Sequence, residues 1–337
     1  MLFTQSQTAM ATKYTYTKSG QLVLMSYSAD KYVNFQYDKN GNQVGRKILN
    51  CLNSEYKLIN VNSNKALDVQ AGDTSSGTRI QIDEDNGTDA QRWLICSAAN
   101  ESYKLINIHS GKALDVSGGE TTDGTLVHLW DDNGTTAQQW RMSKNVDDSY
   151  TFTNVNSNKV LDVSGGGTSN GTSVQIWTGN KTTSQKWKLI KSIPNGSEFK
   201  IINTVSGKAL DVTGGSIVDG ASVQIWTDND TTAQRWHVYD TGGNRYKLIN
   251  VNSAKALEVP GGSTIDGTIV KIWTDNKTTS QQWIIKEYAD GMCTFMNVHS
   301  NKMLEVRGGG TTDGVPVQIW TDNATTSQRW KLVKVKD

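Results

Sequence analysis

The chain has 337 residues, with 34 Lys and Arg against 33 Asp and Glu, 31 glycines, 3 prolines and 11 tryptophans. A formal net charge of +1 without a basic cluster argues against a nucleic-acid face. No apolar run approaches the roughly 20 residues of a membrane span, so membrane insertion is not expected.

The first 50 residues carry a short repeat of their own. Tyr14-Thr15-Tyr16-Thr17-Lys18-Ser19-Gly20-Gln21-Leu22 is echoed by Phe35-Gln36-Tyr37-Asp38-Lys39-Asn40-Gly41-Asn42-Gln43-Val44, with tyrosines and glycines 21 residues apart. Each copy reads as an aromatic strand, a Gly turn and a second strand, hence a β-hairpin. The pattern resembles the tyrosine–aspartate (YD) repeats of Rhs-type bacterial shells, although the first copy has Thr17 at the Asp position. Such units need neighbours to bury their faces. The segment is then a stub of a longer upstream protein, a strand-rich appendage or a partly disordered leader. Met1 to Tyr14 has no basic start followed by an apolar core, so no secretory signal is visible.

From Ser54 onward one pattern occurs six times. Its closing tryptophans are Trp93, Trp140, Trp187, Trp236, Trp283 and Trp330, spaced 47, 47, 49, 47 and 47 residues apart. The acid of the opening Leu-Asp/Glu-Val keeps the same register at Asp68, Asp115, Asp162, Asp211, Glu258 and Glu305. A period held by two landmarks defines a repeat architecture. Each unit has an alternating strand such as Tyr56–Val61, a polar turn and a return strand such as Ala66–Val69. A Gly/Ser/Thr loop, a short strand such as Val174–Trp177 and a closing Gln-x-Trp strand follow, and no stretch has helical character. The 49-residue spacing falls at Ser192–Ser197, which holds Pro194 and an Asn-Gly pair and reads as a linker. Units three and six also share Thr-Phe-Thr/Met-Asn-Val where the others favour Lys-Leu/Ile-Ile-Asn. The order is therefore three units, a linker and three units, and three four-stranded units around one core make a twelve-stranded pseudo-threefold domain.

The Leu-Asp-Val, Gln-Ile-Trp and Gln-x-Trp series over residues 54–337 resembles the ricin B-chain-type lectin, the β-trefoil that also serves as a carbohydrate-binding module on xylanases. The expected fold is all-β: a YD-repeat-like segment at 1–53, one β-trefoil at 54–191, a linker at 192–197 and a second β-trefoil at 198–337. Cys51, Cys96 and Cys293 sit at non-equivalent places in the repeat. No repeated disulfide framework is expected, and the three read as small buried or surface thiols.

Strand parity separates two tryptophan classes. In Val174-Gln175-Ile176-Trp177 the apolar pair shares one face, and Gln175 shares the other with Trp177. Trp187 alternates with lysines and shares a face with Leu189, so it points inward. The outward set is Trp130, Trp177, Trp226, Trp273 and Trp320. An exposed Trp repeated at one position has little structural reason, whereas the C–H face of a pyranose stacks on such a ring. Sugar hydroxyls need donors and acceptors held in place. The resemblance implies that in each unit the acid binds adjacent hydroxyls, the aromatic stacks and the amide three residues later completes the site.

Unit three has Asp162, Gln175, Trp177 and Asn180, and unit four has Asp211, Gln224, Trp226 and Asn229. Unit six has Glu305, Gln318, Trp320 and Asn323, and unit two has Asp115, His128, Trp130 and Asn133. Unit five keeps Trp273 and Asn276 but has Glu258 and Lys271, so a weaker site is expected there. Unit one has Asp68, Gln81 and Asn86 with Asp83 in place of the aromatic, and is expected to be empty or very weak. The alternative is that the acid and Asn only tie loops to backbone. The Gln of Gln-x-Trp is read as structural. Where this family often has a sugar-contacting Asn before that Gln, the chain has Ala90, Ala137, Ser184, Ala233, Ser280 or Ser327. This departure bears on galactose specificity rather than on sugar binding.

Asp83–Asp89 lacks the Gly position and closing Glu of a calcium loop. The four histidines have no metal-ligand spacing. No metal, cofactor or catalytic residue is expected, because six near-copies give every carboxylate the same surroundings, whereas acid–base pairs need different ones. The sequence reading is a multivalent lectin for galactose-type or related glycans or a polysaccharide, extracellular or at a cell surface. Two other readings are a targeting module with an upstream toxin or hydrolase partner, and a protein-interaction or structural β-trefoil.

Overall fold

The computed structural model describes residues 13–16, 20–28, 30–38, 40–288 and 290–335. Thr17–Ser19 of the first Tyr/Gly copy, and most of the leader before Tyr14, lie outside the described residues. The chain divides into two compact bodies between Ser192 and Ile193.

Each unit folds as four strands joined by turns, several of them single 3-10 turns. In unit three the strands are Tyr150–Asn154, Val160–Val163, Thr172–Trp177 and Trp187–Ser192. The second and third run antiparallel, with Leu161 opposite Ile176 and Asp162 opposite Gln175. Because side chains alternate across a strand, Leu161, Val163, Val174 and Ile176 enter the core, while Asp162 and Gln175 lie together on the other face. Each set of three units closes on itself. Trp187–Ser192 pairs with Glu55–Asn60 in the first body, and Trp330–Lys334 pairs with Phe199–Asn203 in the second.

The closing tryptophans form the cores: Trp93, Trp140 and Trp187 in one, Trp236, Trp283 and Trp330 in the other, all fully buried. A buried indole N–H needs an acceptor. Each Nε1 donates to the carbonyl of the Leu that opens Leu-Asp/Glu-Val in its own unit, at 3.0–3.2 Å. A second repeated anchor is a buried Asn at the end of each first strand. Asn154 Nδ2 donates to the Ala137 and Gln139 carbonyls of unit two, and its Oδ1 accepts from the Asn156 and Ser157 amides. It thereby joins one unit's turn to the previous unit's Gln-x-Trp segment.

The difference between units three and six and the other four has a structural origin. Lys57, Lys104, Lys200 and Lys247 pair with Asp85, Asp132, Asp228 and Asp275 in the loop after the outer aromatic position, at 2.5–2.9 Å. Unit three has Thr151 and Gly179 at these two places, so cation and acid are lost together, whereas unit six has Thr294 but keeps the acid as Asp322.

The N-terminal strands are β1 (Lys13–Tyr16), β2 (Leu22–Ser28), β3 (Lys31–Tyr37) and β4 (Gln43–Asn60), an antiparallel meander. β4 runs 18 residues without a break and supplies the first strand of unit one. The boundary expected at 53/54 therefore falls inside a strand. Leu24, Tyr32 and Leu49 pack with Leu94, Ile106, Ile108 and Ala113 of units one and two, which makes the segment an appendage of the first β-trefoil.

The thiol reading is corrected for two of the three cysteines. Cys51 on β4 lies directly opposite Cys96, and the two form a disulfide. The bond fastens the appendage rather than recurring in the units, so the repeat register held no sign of it. Cys293 is a buried free thiol, and burial pushes it up to about 12. The expected linker is also shorter than 192–197. Ser192 ends one strand, Ser197 begins the next, and Ile193 joins the second core.

Candidate functional site

In unit three, strand register brings Asp162 and Gln175 side by side on the outer face. The Asp162 carboxylate lies buried at the floor of a cleft, deeper than its solvent-facing parity indicates. Gln175 Nε2 donates to its Oδ2 and Ser184 Oγ to its Oδ1, each at 3.0 Å. Each carboxylate oxygen keeps further acceptor capacity. Trp177, on the same strand face as Gln175, forms an exposed wall. Its ring edge rests on unit two, where a Cβ on Gly124 would meet Cζ3 at 3.7 Å. The next residue is clasped by the same loop. Asp123 accepts from the Thr178 amide at 2.6 Å and pairs with Lys159 at 2.7 Å.

Asn180 stands at the exposed end of the cleft. Its Oδ1 accepts from the Thr182 amide and hydroxyl, while its Nδ2 has no partner among the described residues. Gln185 of the Gln-x-Trp motif accepts from the Asn180 amide and donates to the Thr178 carbonyl, so it shapes this loop from below. The cleft thus offers an apolar ring, two acceptors (Asp162 and Gln175 Oε1) and one amide donor. The turn after Val163 passes through Gly165 at φ +59°, which keeps that side free of side chain.

The same set is assembled in the other units with local changes. In unit four Gln224 Nε2 donates to Asp211 at 2.9 Å, and Trp226 and Asn229 line the cleft. Burial raises the Asp211 carboxyl above its ordinary 3.8 despite the amide donors. In unit two His128 Nε2 lies 3.2 Å from Asp115, and its ring stacks on Trp130 at 5.3 Å. In unit six Glu305 accepts from Gln318 at 3.0 Å and also from Gln328 at 2.9 Å, beside Trp320 and Asn323. In unit five Gln281 reaches Glu258 at 2.6 Å, with Trp273 exposed and Asn276 in its loop. The five outer tryptophans are 36–41% exposed. Unit one brings Asp68 and Gln81 together at 2.9 Å, but Asp83 draws on the same Gln81 amide at 3.4 Å where a ring would stand.

A family profile described as "Ricin-type beta-trefoil lectin domain-like" matches residues 47–130, 98–177, 183–273 and 279–337. The chain belongs to this family. Among solved structures, the designed threefold-symmetric protein ThreeFoil is 35% identical, covering 41% of this chain and 99% of its own, with a TM-score of 0.41. The Macrolepiota procera ricin B-like lectin, solved with lactose, is 24% identical over 43% of this chain and 100% of its own, at TM-score 0.38. A mosquitocidal holotoxin is 20% identical over 88% of this chain, which spans 36% of the toxin chain, at TM-score 0.43. No curated protein sequence matches.

This ricin-type lectin-like chain also has a cleft residue that sequence reasoning missed. The residue two places after each buried Asn is delivered to the cleft of the preceding unit around the ring. Asn62 Nδ2 donates to the Gly166 carbonyl and its Oδ1 accepts from Thr183, completing one wall of unit three. Asn156 and Asn252 do the same for units two and four. Unit six receives Val205 instead, and unit five receives His299, whose ring lies beside Gly262 and Thr279. The sequence signal was the recurrent Asn-x-Asn turn, which read only as a hairpin loop because its target lies in another unit.

Proposed function

We propose that the protein is a non-enzymatic, multivalent carbohydrate-binding protein. The outer tryptophans stack on pyranose rings, and the acid, the Gln or His and the loop Asn hold the hydroxyls. The observation that carries this reading is the fivefold pairing of an exposed Trp with a buried carboxylate, held by a side-chain amide in four units and by His128 in unit two. Leaving such a ring in water at five equivalent places serves a stacking ligand and does nothing for the core. Units three and four carry the full set, unit six carries it with Glu305, units two and five are variants, and unit one is empty. The ligands are galactose-type or related glycans, met outside the cell or at its surface.

Shallow single sites of this kind bind at about millimolar Kd, near −4 kcal/mol. Several on one chain add roughly 10²–10⁴ in avidity on a multivalent glycan. The test is a glycan array and affinity gels with the wild type beside the Trp177→Ala/Trp226→Ala/Trp320→Ala triple variant. Glycan binding by the wild type that the folded triple variant loses supports stacking sites. Two folded proteins that both ignore galactosides, mannosides and xylans would overturn the lectin reading in favour of a protein-interaction role.

A further inference from the structure

Two cleft positions change character in the second β-trefoil. The residue after the Val of Leu-Asp/Glu-Val, where the tight turn begins, is Gln70, Ser117, Ser164, Thr213, Pro260 or Arg307 in units one to six. The partner opposite the acid is Gln81, His128, Gln175, Gln224, Lys271 or Gln318. Units five and six thus each gain one cation. These are also the two units whose acid is Glu.

The longer acid changes the local pairing. In unit three Gln185 stays with the Asn180 amide and the Thr178 carbonyl, and the Asp162 carboxylate is held by Gln175 and Ser184. In units five and six the Glu carboxylate reaches the inner glutamine, Gln281 at 2.6 Å and Gln328 at 2.9 Å. It is drawn toward neutral donors, and neither Lys271 nor Arg307 forms an ion pair among the described residues. In the unit six cleft the other acid, Asp266, is already matched by Lys302 at 2.8 Å. Arg307 is exposed and lines that cleft, and Val205 stands where Asn62 stands in unit three. Lys271 occupies the cross-strand place of Gln175, facing Glu258 in register without a salt bridge to it. The clefts of units three and four, by contrast, are lined by one carboxylate and no cation.

We propose that units five and six bind sugars bearing an anionic substituent, a carboxylate or a sulfate, whereas units three and four bind neutral sugars. The reading rests on the sugar-binding function proposed above. An anionic group at units three and four meets an uncompensated carboxylate. At units five and six it meets an ammonium or a guanidinium with free donors, and Arg in particular offers two parallel N–H groups to one planar anion.

The test uses the full chain and calorimetric titration with four probes: a tetragalacturonide, its methyl ester, a neutral galacto-tetrasaccharide and a sulfated galacto-tetrasaccharide. At about 0.05 M salt, where screening is weak, at least one acidic probe binds about threefold to tenfold tighter than the neutral ones. That advantage shrinks at about 0.5 M salt. The Lys271→Gln/Arg307→Gln variant abolishes the advantage and leaves neutral-probe binding by units three and four unchanged. Arg307→Lys retains part of it. The two acidic probes separate carboxylate from sulfate as the preferred group. No preference for either acidic probe, or a preference that the double variant keeps, overturns the proposal. Neutral-probe binding that is still lost in Trp177→Ala/Trp226→Ala would then show that the lectin reading survives alone. Failure of every saccharide to bind the folded chain sinks both.

Discussion

Units one and three occupy related places in the same β-trefoil, and the difference that bears on a ligand lies on their outer side. Inward, Trp93 and Trp187 are equally buried and donate to equivalent Leu carbonyls. Outward, unit three has Trp177 over a glycine-lined turn, while unit one has Asp83 and carries Ala71 at φ +55° where unit three has Gly165 at +59°. Close packing keeps the inner face apolar and the closing Trp in place, with exchanges such as Leu58 for Phe152 confined to apolar residues. The outer face contributes little to stability, so its residues can follow ligand chemistry unit by unit. The two obligations fall on alternate residues of the same short strands.

The strongest way to break this separation is to exchange the faces' fates. Trp187→Ala or Trp93→Ala is expected to cost about 3–5 kcal/mol of folding free energy by cavity formation. Trp177→Ala should cost under about 1 kcal/mol while abolishing the unit three site. Urea unfolding beside an affinity-gel assay reads both. A tolerated Trp93→Ala would mean that unit one does not share the core obligation.

The next effect concerns what holds the ring of units together. Asn154→Ala strips partners from two carbonyls of unit two and two turn amides of unit three. A loss of roughly 2–3 kcal/mol follows from buried groups left unpaired. Cys51→Ser/Cys96→Ser opens a loop of sequence separation 45 and should cost about 2–4 kcal/mol. Because the bond joins β4 to unit one, only the unfolding transition of the first β-trefoil should shift in calorimetry. A shift of the second transition would contradict this assignment.

Asp83→Trp sharpens the comparison from the other side. Gly171, the unit three equivalent of the Gly124 that seats Trp177, already faces unit one beside Gln81. The variant should add one binding site in titration stoichiometry at about millimolar Kd, with little change in stability. An unchanged site count would place the defect of unit one in Ala71 rather than in the missing ring.

The smallest effect is a pH window. Burial raises the Asp211 carboxyl, so the folded state favours its protonation, and acidification through that range costs no stability at this group. It does weaken the site, because the charged acceptor for sugar hydroxyls becomes a neutral carboxyl that accepts less strongly. Asp313, held below its ordinary value first by Lys208, contributes stability above the unfolded value, and this is lost only as pH falls through its lowered value. Unit four should therefore release sugar on acidification while tryptophan fluorescence still reports a native fold. Coincident loss of binding and fold would refute the ordering.

The 47-residue period and strand alternation were enough to place six four-stranded units, the inward tryptophans and the outward tryptophans. These are local properties, because a residue's face follows from its neighbours two places away. The sequence also brought the acid and its Gln or His partner into one site, since a hairpin register determines that pairing. Three features were decided only by the tertiary structure. Asn62 completes the cleft of unit three, more than a hundred residues away in the chain, because ring closure carries one unit's turn onto another. Cys51 meets Cys96 because β4 continues through the expected boundary and pairs with the strand of unit one. Asp162 lies at the cleft floor, as buried as its equivalents Asp68, Asp115 and Asp211, and Ser184 from a later turn donates to it there. Each is a contact between segments that share no local pattern, and only the closed threefold packing brings them within reach.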